Sequence, residues 1–94
     1  MAVKSVTTAT FRQEVMESEL PVLVDLWAEW CAPCRQLSPR VEEVAREMEG
    51  RIKVVKVNVD QNPELAQAFN ARSIPMLVVI VNGQIGRASC RERV

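Results

Sequence analysis

Three short runs rich in Val, Ile and Leu, at residues 21–28, 52–59 and 76–81, alternate along the chain with segments whose apolar side chains recur at helical spacing. That alternation is the strongest constraint on the fold. Runs this short and this apolar suit strands buried on both faces, and such strands need helices above and below them. The order helix, strand, helix, strand, helix, strand, turn therefore predicts an α/β layer fold, a mixed β-sheet flanked by helices. After the third run comes Asn82-Gly83, a strong signal for a tight hairpin turn, so a further strand is expected to return antiparallel. No internal repeat or linker interrupts the pattern.

The helical segments carry their own punctuation. Thr10 and Gln13 have the spacing of a capping box, which predicts a first helix over residues 11–18 with Phe11 and Val15 on one face. In the second, Leu37, Val41, Val44, Ala45 and Met48 form an apolar stripe, and Glu42, Glu43, Arg46, Glu47 and Glu49 fill the other face. Gly50 reads as its stop, and Pro39 is expected to kink it. Asn62-Pro63-Glu64 reads as cap, first-turn proline and first-turn acid of a third helix, on which Leu65 and Phe69 share a face.

Composition narrows the function. The chain is 48% hydrophobic and 26% charged, too apolar for intrinsic disorder, and it has no apolar run of the roughly 18 residues a membrane span needs. The N-terminus lacks the basic and apolar segments of a secretory signal, so a cytoplasmic protein is expected. Twelve basic side chains balance twelve acidic ones, which leaves no electrostatic reason to expect nucleic acid or an anionic membrane as partner. The absence of histidine removes the commonest general base and metal ligand. Three cysteines are too few for a framework of several disulfides.

Two of those cysteines carry the chemistry. Cys31-Ala32-Pro33-Cys34 falls where the first apolar run gives way to the second helix. At such a junction, free backbone N–H groups and the helix dipole favour negative charge, so Cys31 is placed to become the thiolate that attacks a disulfide. Cys34, one helical turn on, would be shielded and within reach to resolve the mixed disulfide. A zinc half-site and a pair of ordinary buried cysteines are the other readings. Zinc would need four ligands, and the chain has neither histidine nor a second cysteine pair, so no metal is expected. Asp25 is the anomaly of its strand. An ionised carboxylate there is costly to desolvate and its pKa should rise, unless it lies at a strand edge bonded to backbone.

Three segments, matching in order and spacing, resemble the thioredoxin family: Val24-Asp25-Leu26-Trp27-Ala28-Glu29-Trp30-Cys31-Ala32-Pro33-Cys34, Val54-Val55-Lys56-Val57-Asn58-Val59-Asp60, and Ser73-Ile74-Pro75. The resemblance covers about residues 5–84. It implies a thioredoxin-like fold and a thiol–disulfide oxidoreductase that reduces protein disulfides, with Cys31 and Cys34 as the redox disulfide, serving electron transport and cell redox homeostasis. Asp25 would accept the proton of Cys34 through a water, and Lys56 would approach that carboxylate, although a solvated lysine on a strand edge fits nearly as well. Pro75 would be cis and face the cysteines, with the Ile74 backbone pairing to an extended substrate and Trp30, Ala32 and Pro33 forming the rim. Met76 departs from the threonine usual after that proline. Trp27 reads as a core residue against the redox helix. No cofactor would be bound. Disulfide-containing proteins and an NADPH-dependent flavoprotein, thioredoxin reductase, would be the partners of a monomer. Ala32-Pro33 between the cysteines is similar to the reducing branch rather than to oxidases or isomerases.

Beyond Gln84 the pattern stops. Residues 85–94, Ile-Gly-Arg-Ala-Ser-Cys-Arg-Glu-Arg-Val, show neither strand alternation nor a helical face, and they match the translation of a common short-read sequencing adapter. The expectation is an incomplete thioredoxin domain over residues 1–84 and a non-native tail over 85–94, with the family's C-terminal strand and helix missing or replaced. Such a chain would leave apolar surface open and be marginal or aggregation-prone. Without the tail's three arginines and one glutamate the net charge is −2, and without Cys90 only the redox pair remains. A reading from a different class is a non-catalytic, chaperone-like binding module whose rim around Trp30 holds a partner; binding that survives loss of both cysteines would favour it.

Overall fold

The computed structural model describes residues 3–85. Five strands form one sheet in the order β1-β3-β2-β4-β5: β1 (Val3–Ser5), β2 (Val22–Trp27), β3 (Lys53–Asn58), β4 (Met76–Val81) and β5 (Gln84–Ile85). β1 and β2 run parallel to β3, whereas β4 is antiparallel to β2 and β5 antiparallel to β4, so the sheet is mixed as expected. The helices are α1 (Thr8–Phe11), continued by a π-helical turn over Arg12–Met16, then α2 (Ala32–Glu47) and α3 (Pro63–Ala68).

Side-chain alternation divides the strands between two faces. One face carries Val22, Val24 and Leu26 of β2, Val55 and Val57 of β3, and Val78 and Ile80 of β4; together with Val6, Val15 and Leu65 they form the larger core. The rings of Phe11 and Phe69 meet edge to face over it, 5.6 Å between centroids. On the opposite face Val3 and Val54 pack under Val41 and Ala45 of α2. Asp25, Trp27 and Lys56 have the parity of this second face, which therefore holds the polar chemistry as well as the redox helix.

Several boundaries differ from the sequence reading. The first helix starts at Thr8, not near residue 11, because the capping pair is Thr7 with Thr10: the Thr10 hydroxyl accepts the Thr7 N–H at 3.0 Å. Its second half widens to a π turn, in which Glu17 N–H bonds the Arg12 carbonyl at 3.0 Å. Asn62 sits at the start of α3 as expected, yet its side chain serves another helix. Its Oδ1 accepts the Thr8 N–H at 2.9 Å and its Nδ2 donates to the Asn58 carbonyl at 3.0 Å, both from a buried position.

α2 runs through Pro39 and ends at Glu47, with Gly50 at φ +88 in the turn that follows. β1 was not foreseen. The strand returning from Asn82-Gly83 is present as β5, both turn residues having positive φ (54 and 78) as a type I′ turn requires. Gln84–Ile85 thus supply, in two residues, a C-terminal strand expected to be missing or replaced, and Ile85 pairs with Ile80. The remainder of the tail, residues 86–94, lies outside the described residues. Among those described, no helix is long and apolar enough to cross a membrane.

Candidate active site

The site is built where β2 ends. Its last residues turn through Glu29 and Trp30 into Cys31, the N-cap of α2, with Pro33 in the first turn, where a missing N–H costs nothing. Cys31 and Cys34 form a disulfide, their Cα atoms 5.2 Å apart, inside the ordinary range for such a bond. The Cys34 N–H points at the Cys31 sulfur, 3.2 Å away, so the first helical turn directs a donor at the atom expected to carry charge. The same sulfur lies 3.7 Å from the Ile74 carbonyl oxygen. In the disulfide this is only a contact; a thiol at Cys31 would make it a weak hydrogen bond. Both cysteines are almost fully buried, against Ala28, with Trp27, Val59 and Ile74 around them. Their exposure therefore does not distinguish attacking from resolving sulfur. What differs is the surroundings, since only Cys34 borders the cavity that contains Asp25.

That cavity, of about 280 Å³, is lined by Asp25, Trp27, Cys34, Arg35, Ser38 and Lys56. It is large enough for several waters at about 30 Å³ each. Asp25 is 5% exposed, held between Lys56 of β3 and Leu77 of β4, so it is a central-strand residue and not an edge one. Its Oδ1 is buried without a hydrogen-bond partner. Burial pushes its pKa from 3.8 up to about 6, and the Lys56 charge opposes that rise. A carboxyl so placed exchanges a proton near neutral pH, which an ordinary aspartate does not.

Ala32 and Pro33 are exposed, Trp30 is 68% exposed, and the Ile74-Pro75 bond is cis. Trp30, Val59, Ala71, Arg72, Ser73 and Ile74 line an open depression of about 370 Å³ beside the cysteines. Sequence reasoning did not single out Asp60, whose Oδ2 accepts the Trp30 indole N–H at 2.8 Å and fixes the ring's orientation. Nor did it find Arg35, Ser38 or Arg72. Asp60 follows the second apolar run as an ordinary surface acid, and no local pattern marks its partner 30 residues away. Trp27 is partly buried against the cysteines, as expected, but its Nε1 is buried without a partner. Among the described residues no group of three or more His, Cys, Asp or Glu is arranged to hold a metal ion.

The thioredoxin family model matches residues 2–93. Thioredoxin 1 of Nostoc sp. is 54% identical over 83 residues, covering 88% of this chain and 78% of the relative. A thioredoxin of Pyropia yezoensis is 54% identical over 84 residues, 89% of this chain and 78% of the relative. One from Rickettsia felis is 48% identical over 80 residues, 85% of this chain and 76% of the relative.

Proposed function

The chain belongs to the thioredoxin family of protein-disulfide oxidoreductases, and from that premise we propose how its own residues divide the exchange. Cys31, as thiolate, attacks one sulfur of a substrate disulfide; an S–S bond forms between Cys31 and substrate while the substrate's own S–S bond breaks, and the departing sulfur takes up a proton. Cys34 then loses its proton to Asp25 through a water in the shared cavity and attacks Cys31. The second substrate thiol leaves, and the pair is oxidised by two electrons, the form in which the structure holds it. Each step balances without a bound cofactor or metal.

The observation that carries this reading is the disulfide at the head of α2 with a buried carboxyl, its pKa raised by desolvation, across one cavity from Cys34. Trp30, Ala32 and Pro33 supply the apolar rim for substrate, and the backbone at Ile74, beside cis Pro75, is free to pair with an extended segment as an added strand. Lys56 moderates the proton affinity of Asp25. Reducing equivalents come from NADPH through a thioredoxin reductase, and the chain acts as a cytoplasmic monomer on disulfide-containing proteins. Cys31→Ser is expected to abolish reduction of a protein disulfide, and Cys34→Ser to accumulate the mixed disulfide on non-reducing gels. Turnover retained by either variant overturns the assignment.

A further inference from the structure

Trp27 stands two residues beyond Asp25 on β2, so both side chains leave the same face of the sheet, and Lys56 leaves that face from β3 in register with Asp25. The ammonium nevertheless does not pair with the carboxylate. Among the described residues the ion pairs are those of Lys4 and Lys53 with Glu14, Arg12 with Glu17, and Arg40 with Glu43. Lys56 Nζ lies instead over the Trp27 ring, 5.1 Å from its centroid, a cation–π distance. Lys56 and Trp27 also border two cavities. One is the space shared with Asp25 and Cys34; the other, of about 130 Å³, includes Glu29, Thr7 and Asn58 in its wall. A four-carbon stem has room on either side, toward a buried acid or toward an exposed one, and solvation favours the exposed side.

We propose that Trp27 is a positioning residue: the face of its indole seats the Lys56 ammonium and so fixes how far that cation stands from the Asp25 carboxylate. The distance matters because the two extremes both spoil a proton acceptor. A direct ion pair would hold the carboxyl charged at all working pH and weaken it as a base, whereas departure of the cation would leave its desolvation unopposed and keep it protonated. Besides Lys56, the charged or titratable groups bordering Asp25 are Cys34 and Arg35 of α2; β4 opposes it with Leu77. Of these, Cys34 also packs beside Trp27, but in the oxidised chain it is held in the disulfide and carries no proton.

The proposal deepens the role given above to Asp25, yet its test needs no turnover. Asp25 is titrated by the ¹³C shift of its carboxyl in the oxidised chain, where Cys34 carries no proton, so failure of the exchange mechanism would leave this result intact. Trp27→Phe, which keeps a ring face, is expected to keep the midpoint. Trp27→Leu should raise it by about one unit, the low end of what a single nearby cation does to a carboxyl. Lys56→Met should raise it as far, and adding Trp27→Leu to Lys56→Met should raise it no further. A Trp27→Leu midpoint equal to the unsubstituted one, a Phe variant that moves as far as Leu, or a Leu effect that persists without Lys56 overturns the proposal. Should Trp27→Leu not fold, the unsubstituted chain decides: the Lys56 ε-methylene protons must resonate upfield of an unstructured lysine, and shifts at the unstructured position refute the seat.

Discussion

Replacing Asp25 by Asn should stabilise the fold at neutral pH while impairing the exchange. The folded protein holds this carboxyl at a pKa of about 6, against 3.8 for the group in water. A raised carboxyl pKa means that the folded state binds the proton more tightly than the unfolded chain does. Its contribution is thus neutral below the unfolded value, becomes progressively unfavourable as pH rises from 3.8 to about 6, and is constant above. At about 1.4 kcal/mol per unit the full cost is about 3 kcal/mol, and water entering the cavity beside Asp25 screens part of it, leaving ~2 kcal/mol. Asn has the same shape without the charge, and water in the cavity can satisfy its amide. Urea unfolding of the oxidised chain and of Asp25→Asn, followed by far-UV circular dichroism from pH 4 to 8, measures the difference. The variant should gain ~2 kcal/mol at pH 7.5 and almost nothing at pH 4. A gain that is absent at pH 7.5, or equal at both pH values, refutes the view that burial of charge is what raises this pKa.

Glu14 should show the opposite pH dependence, because hydrogen bonds from Lys4 and Lys53 hold its pKa at about 2, below the usual 4.5. Its stabilisation is complete above 4.5 and is lost as pH falls toward 2, so Glu14→Gln should lower the urea midpoint at pH 7 and match the unsubstituted chain near pH 2; a constant difference across that range contradicts the clamp. Asn62→Ala strips Thr8 and Asn58 of a buried partner and should cost ~1–3 kcal/mol in the same urea assay, with a loss below ~0.5 kcal/mol counting against its part in joining α1 to α3.

Legibility followed the range of the interactions involved. The three long strands and α2 could be read directly, since each announces itself within a dozen residues, and Asp25 stood out because a charge in an apolar run breaks a local rule. Where the controlling contact is distant, local reading failed. Val3 is buried because β1 lies against β3, in register with Val54, and beneath α2, and three residues carry too little pattern to say so. Asn62 looked like the cap of its own helix because that is the local use of asparagine, but its Oδ1 is taken by Thr8, 54 residues away. The Thr10–Gln13 spacing competed with Thr7–Thr10, and the second pair lies where the chain leaves β1 and turns. The seat of Lys56 on Trp27 joins two strands, and no spacing within either strand encodes it.

The position of β2 in the sheet has a consequence for how the molecule opens. It is laddered on both sides, through six register pairs with β3 and five with β4, whereas the outermost strands hold three residues and two. Fluctuations that fray β1 or β5 leave the amides around Asp25 protected, and exposing them to exchange with solvent requires breaking the centre of the sheet. The segment at residues 71–75 belongs to no ladder, so its backbone opens at lower free energy. The acid is thereby carried on the most doubly laddered strand of the sheet, whereas the cysteines at the head of α2 and the 71–75 segment beside them lie outside that ladder.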